Sequence, residues 1–289
     1  MNFRKKAEPA MPAKRPSKKH DNRPIGLFDS GLGGLTVVRA VRDALPGEDV
    51  IYLGDTARVP YGNRSPETVE LFARQDLAFL ERFGIKAAVA ACNTVSALAL
   101  PNILPEKRSF PLGGVILAGV EAVLATGRRK VAVLGTRGTI ASGAYEHALL
   151  AVDPRLIVRS IACPLFVPVI EEGVTNGSIV RDIFDLYLAQ LLRDPPEVVL
   201  LGCTHYPLFR PALAQYLPKD TLILDSAAAA ADYLSRLLKK KGLCAEPGRT
   251  GRAQYYVTDR TPGFERLARR FLDAGDGEVI DIHLADVVS

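Results

Sequence analysis

Two cysteines each follow a short apolar run that is typical of a β-strand. Cys92 stands in the stretch Val89-Ala-Ala-Cys-Asn-Thr94, and Cys203 stands in Leu200-Leu-Gly-Cys-Thr-His205. The two cysteines lie 111 positions apart and share the same plan of strand, thiol and polar pair. Because ligands bind at the carboxyl ends of strands in open α/β sheets, this plan predicts two thiols at ligand-binding strand ends.

Three chemistries could use such a pair of thiols. A structural zinc site needs about four closely spaced Cys or His ligands, whereas the cysteines at positions 92, 163, 203 and 244 are widely separated. A thiol–disulfide couple usually has its cysteines two residues apart, although the sequence does not forbid a long-range pair. In a two-base proton shuttle, one thiolate removes a proton from a stereocentre and the other thiol supplies one from the opposite face. The shuttle explains why the same group occurs twice.

Cys92 also precedes a helix-like run over residues 95–100. Backbone N–H groups at the start of a helix point toward whatever lies there. They can lower the pKa of a thiol from about 8.5, although a cysteine beside small apolar residues is, taken alone, more often an inert part of the core.

Polar residues at the predicted strand ends describe a ligand. Asp29 and Ser30 offer an ammonium acceptor beside a carboxylate donor. The Gly-rich segment from Asp29 to Thr36 matches neither the dinucleotide fingerprint nor the P-loop. Further hydroxyl, amide and backbone donors come from Tyr61, Gly62, Asn93, Thr94, Thr204 and His205. Together these groups suit a small zwitterionic ligand with an extra anionic group.

The elements that position these residues alternate between short apolar runs and longer segments of helical period, which indicates an α/β fold of parallel sheets covered by helices. A helix preceded by Ser65 as N-cap, with Pro66 first and Gly84 as its stop, gives one βαβ unit. The recurrence of similar segments predicts two α/β halves of like plan. Strands are expected at residues 25–28, 50–53, 87–91, 113–116, 130–134, 156–161, 198–201, 221–224, 253–257 and 279–283.

Charge and composition exclude several functions. The 289 residues carry a formal charge of +5, and residues 1–22 hold seven basic and two acidic side chains, so the rest of the chain is formally neutral. We therefore expect a disordered basic tail over residues 1–21 and no nucleic-acid binding. No signal peptide and no membrane-spanning run of about 18 apolar residues is present, and we expect a cytoplasmic protein.

The motifs together resemble a known family. They are Asp29-Ser-Gly-x-Gly-Gly, Gly54-Asp-Thr with Pro60-Tyr-Gly62, Ala91-Cys-Asn-Thr94 and Gly202-Cys-Thr-His-Tyr-Pro207, in this order. Two further motifs are Gly135-Thr-x-x-Thr-x-x-Ser-x-x-Tyr145 and Phe166-Val-Pro-x-x-Glu-Glu-Gly173. The chain is similar to the glutamate racemases of the cofactor-independent aspartate/glutamate racemase superfamily, from about Ile25 to the last strand. The resemblance implies interconversion of L- and D-glutamate, which supplies D-glutamate for peptidoglycan. It also implies two similar α/β domains with the site between them, no pyridoxal phosphate, no metal and a homodimer.

The resemblance also implies roles for single residues. Cys92 is expected to act as the base for D-glutamate, assisted by Asp29, and Cys203 as the base for L-glutamate, assisted by His205. Either Glu171 or Glu172 supports the histidine, and we favour Glu171. The substrate is expected to be held by Asp29, Ser30, Tyr61, Gly62, Asn93, Thr94, Thr204 and His205.

The first domain is expected to span residues 22–117 and 226–289, and the second residues 118–225. Two other functions stay open. An aspartate or related racemase is the nearest, although such relatives tend to carry Glu where His205 stands. A non-catalytic amino-acid-binding protein of the same fold is the other, and the intact cysteine pair argues against it.

Overall fold

The computed structural model describes residues 20–260, 264–273 and 282–287. Its described part contains two sheets, and every strand pairing in them is parallel. The strands are β1 (Ile25–Asp29), β2 (Val50–Gly54), β3 (Ala87–Ala90), β4 (Leu112–Gly114), β5 (Lys130–Gly135), β6 (Ile157–Ala162), β7 (Val198–Gly202), β8 (Leu222–Asp225), β9 (Ala253–Val257) and β10 (Ile282–Leu284).

The first sheet has the order β10-β9-β2-β1-β3-β4, and the second has the order β6-β5-β7-β8. The chain leaves the first sheet after β4, builds the second, and returns through β9 and β10 to the first. This architecture confirms the predicted α/β fold with two similar parallel sheets.

Helices cover the sheets, and their apolar faces form the core. Strands β1, β2, β3 and β7 are buried along their whole length, which is why they read as continuous apolar runs. The helices are α1 (Leu35–Ala44), α2 (Pro66–Glu81), α3 (Asn93–Leu98), α4 (Leu100–Ile103), α5 (Val115–Ala125), α6 (Arg137–Ala141), α7 (Ala144–Val152), α8 (Phe166–Glu171), α9 (Ser178–Leu188), α10 (Arg210–Tyr216), α11 (Ser226–Lys241) and α12 (Phe264–Leu272).

Helix α2 begins as its sequence predicts. The Ser65 hydroxyl accepts a hydrogen bond of 3.3 Å from the backbone N–H of Thr68, and Pro66 is the first helical residue. The chain leaves the helix through Gly84, whose φ of 62° lies in the left-handed region that favours glycine. No helix in the described ranges is long and apolar enough to cross a membrane.

The segment around residue 115 differs from its prediction. A strand was expected over residues 113–116, but β4 ends at Gly114 and α5 begins at Val115. Apolar runs of this length are compatible with either element, so periodicity alone does not separate them. The helix start is fixed instead by Ser96, whose Oγ accepts from the Val115 N–H at 3.2 Å. The predicted last strand, residues 279–283, is observed at Ile282–Leu284, and residues 279–281 lie outside the described part.

The predicted domain limits stay predictions. The limit at residue 117 falls within α5, and the limit at residue 226 falls on the first residue of α11. Most of the predicted tail, residues 1–19, lies outside the described part. Asp21, the last tail residue, belongs to the folded protein because its N–H donates to the Cys244 carbonyl at 3.1 Å.

A buried ion pair joins the first residues of the described chain to the first sheet. Lys86 is fully buried, and its ammonium donates to the Glu48 carboxylate and, at 2.5 Å, to the Asp21 carbonyl. The other Glu48 oxygen accepts from the Ala245 N–H at 2.8 Å. A buried charge that loses its partner is strongly destabilising because nothing replaces its hydration.

Glu48→Ala is expected to lower the free energy of unfolding by about 3–5 kcal/mol, because it leaves the Lys86 ammonium buried without a counter-charge. Urea unfolding followed by circular dichroism measures the change. Asp153→Ala, which breaks the surface pair between Asp153 and Arg155, is the control and should cost much less. Equal losses in the two variants would contradict the account.

Candidate active site

The two cysteines meet in one cavity. Cys92 follows β3 and is the N-cap residue of α3, and Cys203 follows β7 in the second sheet. Both line a cavity of about 260 Å³, and they are only 5% and 6% exposed. The site therefore takes one thiol from each sheet, at the carboxyl edge where parallel sheets bind ligands.

The structure brings the other predicted residues to the same place. Asp29 lies directly behind the cavity wall and is fully buried. The wall itself contains the predicted residues Ser30, Tyr61, Gly62, Asn93, Thr94, Glu171, Thr204 and His205.

The surroundings of Cys92 raise rather than lower its pKa. Burial raises the pKa of the Cys92 thiol to about 11, and the charge of Asp29 adds to the rise. The Val95 N–H at the helix start and the Ser30 hydroxyl, 3.6 Å from the sulfur, oppose it. The lowering that a helix start can cause is not found at Cys92, because burial outweighs the hydrogen bonds there.

The alkylation rate of Cys92 by iodoacetamide is expected to rise about tenfold per pH unit from about pH 7 to pH 10, because the thiolate fraction rises in proportion below the pKa. Peptide mass spectrometry of the ligand-free protein measures the rate. A short unstructured peptide with one cysteine, whose thiol has a pKa of about 8.5, is the control in the same solution, and its rate should level off above that pKa. A plateau for Cys92 below pH 9 would contradict the raised pKa.

Asp29 joins the two halves of the site. Its carboxylate accepts from the Gly31 N–H at 3.0 Å and from the Thr204 hydroxyl at 3.3 Å. Burial raises the pKa of Asp29, while the positive charge that His205 can carry lowers it. Thr36 adds a second link, since its hydroxyl donates to the Thr204 carbonyl at 3.1 Å.

The surroundings of Cys203 differ from those of Cys92. Burial raises the pKa of the Cys203 thiol well above its ordinary value, and a hydrogen bond from the backbone N–H of His205 opposes the rise. The His205 imidazole lies 3.0 Å, from Nε2 to Oε1, from the carboxylate of Glu171 and packs edge-on against the Phe271 ring. A carboxylate partner holds an imidazole ring in one orientation.

Gly33 lies against His205 and Thr204. A Cβ atom placed on Gly33 would lie 2.3 Å from His205 Nδ1 and 2.3 Å from Thr204 Oγ1. Such distances are far shorter than a van der Waals contact. Gly33 thus lets the loop after β1 approach the loop after β7.

A buried ionic group fixes the segment that carries Tyr61 and Gly62. The Tyr61 hydroxyl donates to Asp55 and, at 3.3 Å, to Asp76. Arg58 donates to Asp55 at 2.5 Å and to Asp76 at 3.1 Å. Burial and the neighbouring charge of Asp55 raise the pKa of Asp76 well above its ordinary value. These bonds hold the side chain of Tyr61, and Tyr61 and Gly62 both line the cavity.

Within the described ranges, no group of three or more His, Cys, Asp or Glu side chains could hold a metal ion. Cys163 is fully buried in the core, and its thiol contributes to no cavity wall described above.

Comparison with known proteins supports the same assignment of family. The model of the Asp/Glu/Hydantoin racemase family matches residues 35–234, which is more than half of the chain. The chain belongs to this family. Its relatives include the glutamate racemase of Geobacter metallireducens, which is 41% identical over 261 residues that cover 90% of this chain and 96% of the relative.

A second relative is the glutamate racemase of Chlorobium phaeobacteroides, which is 42% identical over 91% of this chain and 96% of its own length. Among solved structures, the glutamate racemase of Francisella tularensis in complex with D-glutamate superposes with a TM-score of 0.85. The two sequences are 37% identical, and the match covers 93% of this chain and 99% of the Francisella tularensis chain. These relatives are amino-acid racemases, so this family member is assigned as an isomerase.

The racemase fold adds cavity residues that the sequence analysis missed. Thr136 and Arg137 follow β5, the strand next to β7, and Thr136 Oγ1 lies 3.0 Å from Thr94 Oγ1. Their place at a strand end in the motif beginning at Gly135 was a signal that could have found them. The other cavity residues that were not predicted are mostly apolar, and they are Val59, Pro60, Asn63, Pro164, Val167, Pro168 and Tyr206.

Proposed function

We propose that this family member is a glutamate racemase that needs no cofactor. The observation that carries the proposal is the pair of thiols, one from each sheet, in a single cavity walled by hydroxyl, amide and backbone donors. The chain's full-length relatives named glutamate racemase support glutamate as the substrate. The bound D-glutamate of the Francisella tularensis enzyme supports it further.

In the proposed reaction, a thiolate on one side of the substrate takes the Cα proton. The electron pair left on Cα is delocalised into the α-carboxylate, and the thiol on the other side gives its proton to the opposite face. Cys203 is the base for L-glutamate and Cys92 the base for D-glutamate. After one turnover the sulfur that was the thiolate carries the Cα proton, and the sulfur that was the thiol is the thiolate. The two cysteines have therefore exchanged roles, and the number of protons is unchanged.

The burial of both thiols matters for this chemistry. A Cα proton beside a carboxylate is a very weak acid, so the site must stabilise negative charge with donors that are already in place. Burial raises the pKa of each thiol, which favours its protonated form. The substrate ammonium, placed near Asp29, brings a positive charge that favours one thiolate.

The flanking residues divide into two sets in this mechanism. Asp29 and Ser30 assist Cys92, and His205, oriented by Glu171, assists Cys203. The substrate is bound by Ser30, Tyr61, Gly62, Asn93, Thr94, Thr204 and His205, together with Asp29. The proposal includes a role in supplying D-glutamate for peptidoglycan in the cytoplasm, and assembly as a homodimer, which light scattering on the purified protein tests.

The deciding experiment incubates the protein with L-glutamate in D₂O without any cofactor. Optical rotation should fall to zero, and mass spectrometry should find deuterium at Cα of the product. L-aspartate, run in parallel, tests the alternative substrate. Absence of both inversion and exchange with either enantiomer of glutamate would refute the proposal, and faster turnover of aspartate would replace glutamate as the substrate.

A further inference from the structure

A buried tyrosine outside the proposed site contacts both of its halves. Tyr145 lies in α7, on the second sheet, and is 2% exposed. Its hydroxyl donates a hydrogen bond of 2.6 Å to Oδ1 of Asn93. Asn93 is the first residue of α3 and the immediate neighbour of Cys92. One bond therefore connects a helix of the second sheet to the segment that carries the first thiol.

The Asn93 amide is held from its other end as well. Its Nδ2 donates to the Ser226 hydroxyl at 3.1 Å. Ser226 is 1% exposed and is the first residue of α11, which follows β8. With one partner for its oxygen and one for its nitrogen, the buried amide has a single favourable orientation.

The ring of Tyr145 packs against the residue that precedes the second thiol. A Cβ atom placed on Gly202, the residue before Cys203, would lie 3.0 Å from Tyr145 Cε2. A Cβ atom placed on Gly119 of α5 would lie 3.0 Å from Tyr145 Cε1. The ring thus fits between Gly119 and Gly202. Gly202 is the last residue of β7, and Cys203 follows it directly.

The Tyr145 hydroxyl remains a donor throughout. Burial raises its pKa, the negative charge that Cys203 can carry raises it further, and a hydrogen bond with Ser226 opposes the rise. A protonated phenol at this position donates to the Asn93 oxygen whichever cysteine is the thiolate.

We infer that Tyr145 is a positioning residue that sets the placement of Cys92 relative to Cys203, by hydrogen bonding to Asn93 while packing against Gly202. This inference rests on the proposed two-base reaction. Inversion needs both sulfurs aligned on opposite faces of Cα at the same time, whereas proton exchange at one face needs only one sulfur. A small misplacement therefore harms inversion more than exchange.

The two outcomes differ in where the proton goes. In inversion, one sulfur takes the Cα proton and the other sulfur delivers its own to the opposite face. When delivery fails, the first thiol exchanges its proton with solvent deuterium and returns a deuteron to the face it came from. The product is then the starting enantiomer with deuterium at Cα.

The test measures the ratio of exchange with retention to inversion for L-glutamate in D₂O, by mass spectrometry after chiral separation. Tyr145→Phe keeps the ring but removes the hydroxyl. We expect inversion to slow by about 10- to 100-fold and the ratio to rise by about tenfold. Tyr216→Phe is the matched control, since its hydroxyl donates at 2.7 Å to Asp185 away from the cavity. It should keep the wild-type rate and ratio.

A merely structural role for Tyr145 would lower thermal stability and leave the ratio at the wild-type value, and that result would overturn the inference. If Tyr145→Phe does not fold, Ser226→Ala removes the bond at the other end of the Asn93 amide. A raised ratio there supports the inference, and an unchanged ratio overturns it. A wild-type protein that does not racemise glutamate refutes the proposed function instead, so the two failures are distinguishable.

Discussion

Replacing either Cys92 or Cys203 by serine is expected to lower the racemisation of glutamate by about 10³-fold or more. A serine hydroxyl is a much weaker acid than a thiol, so the variant site lacks one of its two proton carriers. General acid–base help alone is worth about 10²–10⁴-fold. Polarimetry with each enantiomer as the starting material measures the loss.

The two variants should also differ in what they retain. Cys92→Ser keeps Cys203, so it should still exchange the Cα proton of L-glutamate with D₂O, whereas Cys203→Ser should still exchange that of D-glutamate. Cys244→Ser changes a half-buried thiol that does not line the cavity, and it should retain wild-type activity. Full racemisation in either active-site variant would contradict the two-base mechanism, and the opposite pattern of exchange would reverse the roles.

Gly33→Ala is expected to reduce kcat/KM by about 10²-fold, although it replaces no side chain that takes part in proton transfer. The added methyl group would fall 2.3 Å from both His205 Nδ1 and Thr204 Oγ1, so the loop after β7 must move. That loop carries the imidazole and the hydroxyl that binds Asp29. Steady-state kinetics in both directions measures the effect.

Gly113→Ala is the control for this prediction. Its added Cβ would lie 3.2 Å from one ring atom of the half-buried Tyr233, which can adjust by a small rotation, and β4 is not part of the cavity wall. It should change kcat/KM by less than about threefold, because distant, tolerated substitutions have small effects. Wild-type kinetics in Gly33→Ala would show that the loop after β7 can move without loss.

The strand ends were predictable because parallel strands have a simple sequence signature. Cys92 and Cys203 each follow an apolar run, and the topology of the fold brings such ends to one edge of each sheet. That the carboxyl edges of the two sheets meet at one site depends on tertiary packing, which has no local sequence pattern. The resemblance to a family was the basis for predicting a site between the two domains. Periodicity alone did not separate strand from helix at Val115, where Ser96 fixes the start of α5.

Properties that depend on burial were less predictable. The pKa of Cys92 depends on how much water the fold removes, and the sequence shows only its position before a helix. Tyr145 was visible as a motif residue, but its bond to Asn93 spans 52 positions and has no local pattern. Gly33 was one glycine among several in a turn until the structure placed His205 against it.

The unlike neighbours of the two thiols have a kinetic consequence. Asp29 and Ser30 stand beside Cys92, whereas His205 and Glu171 stand beside Cys203. In water the two enantiomers of an amino acid have equal free energy, so the equilibrium constant of their interconversion is one. For the proposed racemase, kcat/KM must therefore be equal in both directions, whatever the asymmetry of the site. The unlike neighbours can make kcat differ between the two directions only if KM differs by the same factor. The enantiomer that is turned over with the higher kcat must therefore also have the higher KM.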